Sequence, residues 1–208
     1  MKKTLLILAL TLTACTTAAP VAPTTPPPPV ETTTAPDAFI YHYFPYGISL
    51  EIPEGWGFAK ADAPYNEFAD STKGEDSFMR LQLPKETYPG TNFGNADLGL
   101  SAVYVASLED CLAYPSANAP ATFDIAKSTV LNGITYYTST STGAAAGNIY
   151  DSKNYRTYQN QFCFSAAETL HTSNIGNYDP GTVTAVDEDA VWARLDAILQ
   201  TVKFDAVQ

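Results

Sequence analysis

The chain has 208 residues, of which 11 are lysine or arginine and 22 are aspartate or glutamate, giving a formal net charge of −11. The basic residues form no cluster in the sequence, and the negative excess repels phosphate backbones, so nucleic acid is not expected as a partner. With 45% hydrophobic residues, a chain of this length can bury a full core.

The first fifteen residues have the pattern of an export signal. Lys2 and Lys3 precede an apolar run that is too short for a resident membrane helix, and the run ends in Leu12-Thr13-Ala14-Cys15. This ending resembles the lipobox of bacterial lipoproteins, in which the cysteine receives a diacylglycerol and becomes the first residue after cleavage. We therefore expect residues 1–14 to be a lipoprotein signal peptide and Cys15 to be the lipidation site. The alternative is an ordinary signal peptide with a chance cysteine.

Residues 15–37 have the composition of a disordered tether. After Cys15 they are mostly threonine, proline, alanine and valine, with four consecutive prolines at 26–29. Such a segment buries little apolar surface and samples extended polyproline II, with a reach of roughly 70 Å at about 3.1 Å per residue. A proline motif that binds an aromatic groove is the alternative. Thr16 stands where an aspartate would resemble the inner-membrane retention signal. The expected location is therefore the outer membrane, or the extracellular face of the plasma membrane in a monoderm cell.

Residues 38–208 have the length of one globular domain. Besides the anchor, only Cys111 and Cys163 remain, and an exported chain with two such thiols most simply pairs them in a disulfide. A reactive thiol is the alternative, but the sequence has no Cys-x-x-Cys motif.

The domain shows strand patterns first and a helix pattern last. Apolar or alternating runs predict strands at 39–44, 46–53, 79–83, 98–106, 125–131, 134–140, 149–158 and 162–170. A short helical turn at 108–112 would carry Cys111. Asn132-Gly133 predicts a tight hairpin, and 159–161 a second turn. The small residues at 143–147 predict a wide hairpin connection or close backbone packing. The pattern indicates a mainly antiparallel sheet.

The C-terminal helix has a clear beginning. Asp187 is a good N-cap, and Glu188 and Asp189 place negative charge where the helix dipole favours it. Apolar residues follow at helical spacing: Val191, Leu195, Ile198, Leu199 and Val202. We therefore expect an α+β domain in which an amphipathic C-terminal helix packs on the sheet.

Both ends of the domain resemble a known fold. The run from Tyr46 to Trp56, in which an aromatic-Gly-apolar strand ends in Pro53 before a tryptophan, resembles the opening of the PsbP-like fold. The closing run from Leu195 to Phe204 is similar to the final helix and strand of that group. The middle of the chain, around Asn132-Gly133, 143–148, 155–157 and 163–164, resembles uncharacterised bacterial exported proteins. These exported proteins carry no assigned chemistry, whereas the PsbP-like resemblance implies an accessory or assembly module, mostly without catalysis.

Few residues in the sequence could serve in catalysis, metal binding or ligand binding. The chain lacks a Gly-x-Ser-x-Gly elbow, and its histidines, His42 and His171, have no metal-spaced partner, so we predict no catalytic residue, metal site or cofactor. His171 would end a strand beside the loop that carries Tyr178, and Arg156 would either bind a carboxylate ligand or pair with surface acids. His171, Arg156 and Tyr178 are therefore the candidate binding residues.

Three functions are compatible with these features. The favoured hypothesis is a lipid-anchored envelope protein with a binding or assembly domain, whose contact with the membrane is the lipid on Cys15 and whose partner is an envelope protein or a glycan. The second is a hydrolase of envelope polymers that uses His171. The third is a purely structural surface lipoprotein.

Overall fold

The computed structural model describes residues 38–58, 76–115 and 123–205. The expected signal peptide (1–14), Cys15 and the tether (15–37) lie outside the described residues. Within the described ranges, neither α-helix combines the length and the apolar character that crossing a bilayer requires.

The larger of two sheets has seven antiparallel strands. In chain order they are β3 (Gly57–Phe58), β4 (Asp76–Leu83), β5 (Phe93–Tyr104), β6 (Ser128–Leu131), β7 (Ile134–Ala145), β8 (Asn148–Gln159) and β9 (Phe162–Ser173). Their order across the sheet is β3-β4-β5-β9-β8-β7-β6. The expected hairpins after residues 131 and 159 are both present.

The smaller sheet and two helices complete the architecture. The sheet joins β1 (Phe39–Tyr43), β2 (Ile48–Ile52) and β10 (Lys203–Phe204), with β2 in the centre and both pairings antiparallel. The helices are α1 (Leu108–Ala113) and α2 (Glu188–Leu199). The Asp187 side chain accepts a hydrogen bond from the Ala190 amide, which confirms the expected N-cap. The α+β class with an antiparallel sheet and a packed C-terminal helix is confirmed.

The main core lies between one face of the large sheet, the helix α2 and the small sheet. Side chains alternate along each strand, so every second residue of β5 and β9 faces this core. Leu98 and Leu100 of β5 and Leu195 and Ile198 of α2 are fully or almost fully buried there. The end of α2, together with β6, β7 and β8, also borders the cleft described below.

The connection at 143–147 is narrower than expected. Residues 143–145 continue β7, with Gly143 opposite Tyr150, and the chain turns over only Ala146 and Gly147. Both turn residues have positive φ, 50° and 79°, as a tight two-residue hairpin requires. The prediction of a wide connection was wrong because small residues still form ladder hydrogen bonds, which involve only the backbone.

A disulfide joins Cys111 of α1 to Cys163 of β9, with 5.1 Å between the two Cα atoms. The expected pairing is therefore present. The bond lies in a second cluster with Val103, on the face of the large sheet opposite α2.

Candidate functional site

The three candidate residues from the sequence do not share one pocket. His171 of β9 is paired with Tyr150 near the start of β8, whereas Arg156 lies six residues further along β8. At about 3.3 Å per residue, this separates the two positions by roughly 20 Å. They therefore cannot contact one small ligand together.

The His171 imidazole is held on both edges and on one face. Its Nδ1 lies 2.9 Å from Asn95 Oδ1, its Nε2 lies 2.9 Å from Asn148 Oδ1, and the ring stacks on Tyr150 with 4.5 Å between centroids. Gly94, at the irregularity in β5 just before Asn95, leaves room for this ring, because a Cβ atom there would lie 2.5 Å from His171 Nδ1. The histidine is thus locked between neighbouring strands and the β7–β8 turn.

Asn95 connects His171 to a buried carboxylate. The Asn95 side-chain nitrogen donates to Asp97, which also accepts from Gln82 at 3.1 Å and forms a 3.3 Å ion pair with Arg80. The oxygen of the Asn95 amide therefore faces His171 and accepts a hydrogen bond from the Nδ1–H group. Burial lowers the pKa of His171; Asp97 opposes this shift and Lys85 adds to it. A general base needs a ring nitrogen that faces substrate, and both nitrogens here face amides.

Arg156 is a structural cation. It is 1% exposed, and its Nη1 donates to the carbonyl oxygens of Cys111, Leu112 and Tyr114 at 3.0, 3.3 and 2.7 Å. These carbonyls belong to the C-terminal end of α1, where a helix has unpaired acceptors and partial negative charge. The guanidinium also lies over the Phe123 ring, 4.6 Å from its centroid. Arg156 and the Cys111–Cys163 disulfide thus both attach α1 to the large sheet.

Tyr178 lies just after the short 3₁₀ turn Ile175–Asn177. Its amide donates to Ile175, and the neighbouring Asn177 side chain donates to the Gly147 carbonyl at 3.0 Å. The turn therefore covers the β7–β8 hairpin. The described ring contacts of His171 involve Tyr150 and the two asparagines, and Tyr178 is not among them.

A different cluster of ionisable residues lies under α2. Glu168 of β9 is fully buried, and Lys153 is paired with it on the neighbouring strand β8. Tyr155 of β8 has its hydroxyl 2.8 Å from Asp196 Oδ1 of α2 and 3.4 Å from Glu168 Oε2. Lys153 Nζ lies 3.3 Å from Asp196 Oδ2 and 4.5 Å from the Trp192 ring centroid. We call Lys153, Tyr155, Glu168 and Asp196 the Glu168 cluster.

Burial determines the protonation of this cluster. Desolvation, and then the negative charge of Asp196, raise the pKa of Glu168 to about 9, while Lys153 and the Tyr155 hydrogen bond act in the opposite direction. Burial and the two neighbouring acids also raise the pKa of the Tyr155 phenol. Glu168 therefore keeps its proton at neutral pH.

The distances show which hydrogen bond of the Tyr155 hydroxyl is the stronger one. A phenol has one proton to donate, and the shorter contact of Tyr155 is with Asp196. The Tyr155 hydroxyl therefore donates mainly to Asp196 and makes only a longer contact with Glu168 Oε2, while Lys153 donates to the other Asp196 oxygen. Glu168 Oε1 has no hydrogen-bond partner in the described part of the chain. The result is a polar chain from the core to the surface.

The outer three members of the cluster open into a cavity of about 320 Å³. It lies where the β6–β7 hairpin, β8 and the end of α2 meet. Its lining residues are mainly hydroxyl-bearing or charged: Thr129, Leu131, Thr138, Ser139, Thr140, Lys153, Tyr155, Asp196 and Gln200. We call this cavity the α2 cleft. A concave site with convergent polar groups beside residues of shifted pKa has the features of a ligand site.

Two further cavities among the described residues lack this combination. One of about 360 Å³, beside the β6–β7 turn and the end of β8, has polar lining residues such as Thr135, Thr157 and Gln159 but no buried acid beneath it. The other, of about 410 Å³ beside α1, is lined mainly by apolar side chains such as Leu108, Leu112 and Phe123. Among the described residues, no group of three or more His, Cys, Asp or Glu side chains is arranged to hold a metal ion.

The sequence contained one signal for the Glu168 cluster that was missed. Along β9, Phe162, Phe164, Ala166 and Leu170 occupy alternate positions and face the core, and Glu168 interrupts this series. A charged residue at a core-facing position is unusual, because burying an isolated charge costs free energy. Lys153, Tyr155 and Asp196 carried no such local signal, since their meeting depends on strand register and on the placement of α2.

Comparisons with known proteins give a partial likeness in fold. No protein-family model matches the chain, and no curated protein matches it. Similar solved structures include a Bacteroides thetaiotaomicron protein (12% identity, TM-score 0.45) and LpqN of Mycobacterium tuberculosis, which is involved in cell envelope biogenesis (12% identity, TM-score 0.42). They also include the cyanobacterial PsbP protein CyanoP from Synechocystis sp. PCC 6803 (9% identity, TM-score 0.37).

The extent of these matches differs. They cover 83%, 82% and 87% of this chain, and 50%, 91% and 100% of the Bacteroides protein, LpqN and CyanoP respectively. The chain thus spans about half the length of the Bacteroides protein. At these identities and TM-scores, the likeness transfers no activity to this protein.

Proposed function

We propose that the protein is a lipid-anchored component of the cell envelope whose α+β domain binds a small polar ligand in the α2 cleft without catalysis. The lipobox at Cys15 and the tether to residue 37 support the anchor. The single observation that supports binding is the buried, protonated Glu168, joined through Tyr155 to polar groups that line a cavity.

Stability alone does not account for this cluster. A carboxyl group buried in the core, with one oxygen unpaired in the described structure, destabilises the fold relative to a well-packed neutral residue. Buried ionisable residues with a strongly shifted pKa are concentrated at functional sites. The Glu168 cluster therefore favours a binding domain over a purely structural surface protein.

The hydrolase hypothesis has less support. His171 has both ring nitrogens against asparagine amides, and its ring is covered by Tyr150. Such contacts hold the imidazole in one orientation instead of directing it at a substrate. We therefore assign His171 a role in fixing the β7–β8 hairpin.

A calorimetric screen of the full-length chain in detergent tests the binding proposal. The ligands are envelope glycan fragments, small neutral and charged solutes, and divalent ions. Thr140 lines the α2 cleft and is exposed, so Thr140→Trp fills the cleft without disturbing the core. Ser141→Trp is the matched control, because Ser141 is exposed but does not line the cleft, and its side chain points to the opposite face of the sheet.

The expected result is a ligand whose binding is lost in Thr140→Trp and kept in Ser141→Trp. Binding that survives Thr140→Trp would place the site elsewhere. A screen without binding, combined with a stable oligomer in light scattering, would support the structural alternative.

A further inference from the structure

The ligand class follows from the donors and acceptors that the α2 cleft presents. Its lining contains five hydroxyl groups, one amide, one carboxylate, one ammonium group and one leucine side chain. Asp196 and Lys153 are the charged members, and they form a 3.3 Å ion pair with each other while about 30% of each side chain stays exposed. The lining therefore has no net formal charge.

This neutrality works against a charged ligand. A cationic group would compete with Lys153 for Asp196, and an anionic group would compete with Asp196 for Lys153, so either ligand must disrupt an existing ion pair. Glu168 adds no negative charge beneath the cleft, since it keeps its proton at neutral pH. A neutral ligand leaves the pair in place.

The ion pair keeps unused hydrogen-bonding capacity. Each carboxylate oxygen of Asp196 accepts one described hydrogen bond, from Tyr155 or from Lys153, and each has room for a second. The Lys153 ammonium has three donors, of which one points to Asp196 and another faces the Trp192 ring. An acceptor and a donor are thus available side by side.

Adjacent hydroxyl groups match this arrangement. One hydroxyl of such a ligand can donate to Asp196 while its neighbour accepts from Lys153. Each hydroxyl can also form another hydrogen bond, with a threonine hydroxyl or with Gln200. The Leu131 side chain and the threonine methyl groups offer an apolar surface for C–H groups. A pyranose or furanose ring has both features, hydroxyls around its edge and C–H groups on its faces.

We infer that the α2 cleft binds a neutral saccharide, held through a pair of adjacent hydroxyls by Asp196 and Lys153. This inference rests on the proposed function, because it names the ligand of the same cleft. With the proposed anchor, the ligand belongs among the saccharides of the cell envelope.

Charge-matched sugars provide the test. The full-length chain in detergent is titrated calorimetrically with glucose, galactose and mannose, and with the 2-amino and uronate forms of each. These forms keep the ring and change only the charge. At least one neutral sugar is expected to bind, and its amino and uronate forms are expected to bind at least ten times more weakly.

Two further variants make the result specific. Asp196→Asn keeps the size of the side chain but removes the charge that orients Lys153, so the affinity for the neutral sugar is expected to fall about tenfold or more. Glu54→Gln, an exposed acid outside the cleft, is expected to leave it unchanged. If Asp196→Asn binds the neutral sugar with the same affinity as the parent protein, the Asp196–Lys153 ion pair does not hold the ligand and the inference is wrong.

The two proposals fail in different ways. If an amino or uronate form binds more tightly than its neutral parent and Thr140→Trp abolishes that binding, the neutral-saccharide class is wrong and the cleft remains the site. If no sugar of any charge binds but another compound of the screen does so in a manner sensitive to Thr140→Trp, the saccharide inference also fails alone. If Thr140→Trp affects no binding at all, both proposals fail.

Discussion

At the scale of single residues, Glu168 has the largest expected influence on stability. Its folded pKa is about 9, against 4.5 for an unperturbed glutamate, so between these values the folded state holds a proton that the unfolded state has lost. The free energy of unfolding therefore falls as pH rises through this window. Below pH 4.5 both states are protonated and the effect disappears.

Replacing Glu168 with glutamine removes this linkage. Glutamine is neutral, has nearly the same shape and can accept a hydrogen bond from the Tyr155 hydroxyl as Glu168 does. We expect Glu168→Gln to raise the free energy of unfolding by up to about 3.5 kcal/mol at pH 7, since the pH lies about 2.5 units above the unfolded pKa and each unit corresponds to about 1.4 kcal/mol. Urea denaturation at pH 4, 6 and 8 measures the effect.

The pH dependence separates this explanation from a packing effect. The difference between Glu168→Gln and the parent protein is expected to grow from pH 4 to pH 8, and the exposed control Glu54→Gln is expected to show no such growth. A constant difference at all three pH values would mean that Glu168 is not protonated in the folded state.

Gly94 is the second residue with a specific steric role. Gly94→Ala would place a Cβ atom 2.5 Å from His171 Nδ1, and the ring cannot move freely because two asparagines and Tyr150 hold it. We expect a loss of about 1–3 kcal/mol in the free energy of unfolding, with a shift of the His171 imidazole resonances in NMR spectra.

Gly143→Ala is the matched control for Gly94→Ala. Gly143 is also a strand glycine, but a Cβ atom there would lie 4.0 Å from the Tyr150 carbonyl oxygen, which is an ordinary contact distance. An equal loss of stability in both variants would show that replacing any strand glycine destabilises the sheet, and that contact with His171 is not the cause in Gly94→Ala.

At the scale of elements, the local signals in the sequence predicted most of the fold. Asn132-Gly133 predicted the β6–β7 hairpin because both residues adopt positive φ, 49° and 77°, and Asp187 predicted the start of α2 because its side chain caps the helix. These features depend on residues that are neighbours in the chain.

The Glu168 cluster was not predictable in the same way. It requires the register that places Lys153 beside Glu168 and the docking of α2 that brings Asp196 to Tyr155, 41 residues away in sequence. Only Glu168 itself, as an acid in an apolar alternation, was visible. The candidate residues His171 and Arg156 were noticed because they are rare residue types, but their roles are set by asparagine and carbonyl partners that no motif marks.

A disulfide and a set of hydrogen bonds attach the helix α1 to the large sheet. The Cys111–Cys163 bond closes a sequence separation of 52 residues, and Arg156 binds the carbonyl end of the helix. We expect Cys111→Ala/Cys163→Ala to lose about 4 kcal/mol in the free energy of unfolding, because the unfolded chain gains the freedom of that loop. Thermal denaturation with and without a reducing agent measures the loss.

The reducing agent also supplies the control for this experiment. It is expected to lower the stability of the parent protein and to leave the double variant unchanged. Peptide mapping of the exported protein that finds free thiols at Cys111 and Cys163 would contradict the bond itself.

At the scale of the whole molecule, the proposed anchor makes Cys15 the link between the domain and the membrane. Cys15→Ser removes the thiol that accepts the lipid, so the chain is expected to lose incorporation of radiolabelled palmitate and to leave the membrane fraction. The control Thr16→Ser makes a similarly small change at the next position but keeps Cys15, and it is expected to remain in the membrane fraction. Equal fractionation of both variants would contradict lipid anchoring through Cys15.

The central claim is that the α2 cleft is the binding site, and NMR mapping of a bound ligand tests it most directly. In a full-length chain with labelled methyl groups, titration with the ligand found in the screen is expected to shift the methyl signals of Thr129, Leu131, Thr138 and Thr140, which line the cleft. The methyl signals of Leu108 and Leu112 beside α1, and the ring signals of His171, are expected to stay unchanged. Shifts confined to the α1 cavity or to His171, with an unperturbed α2 cleft, would contradict the account.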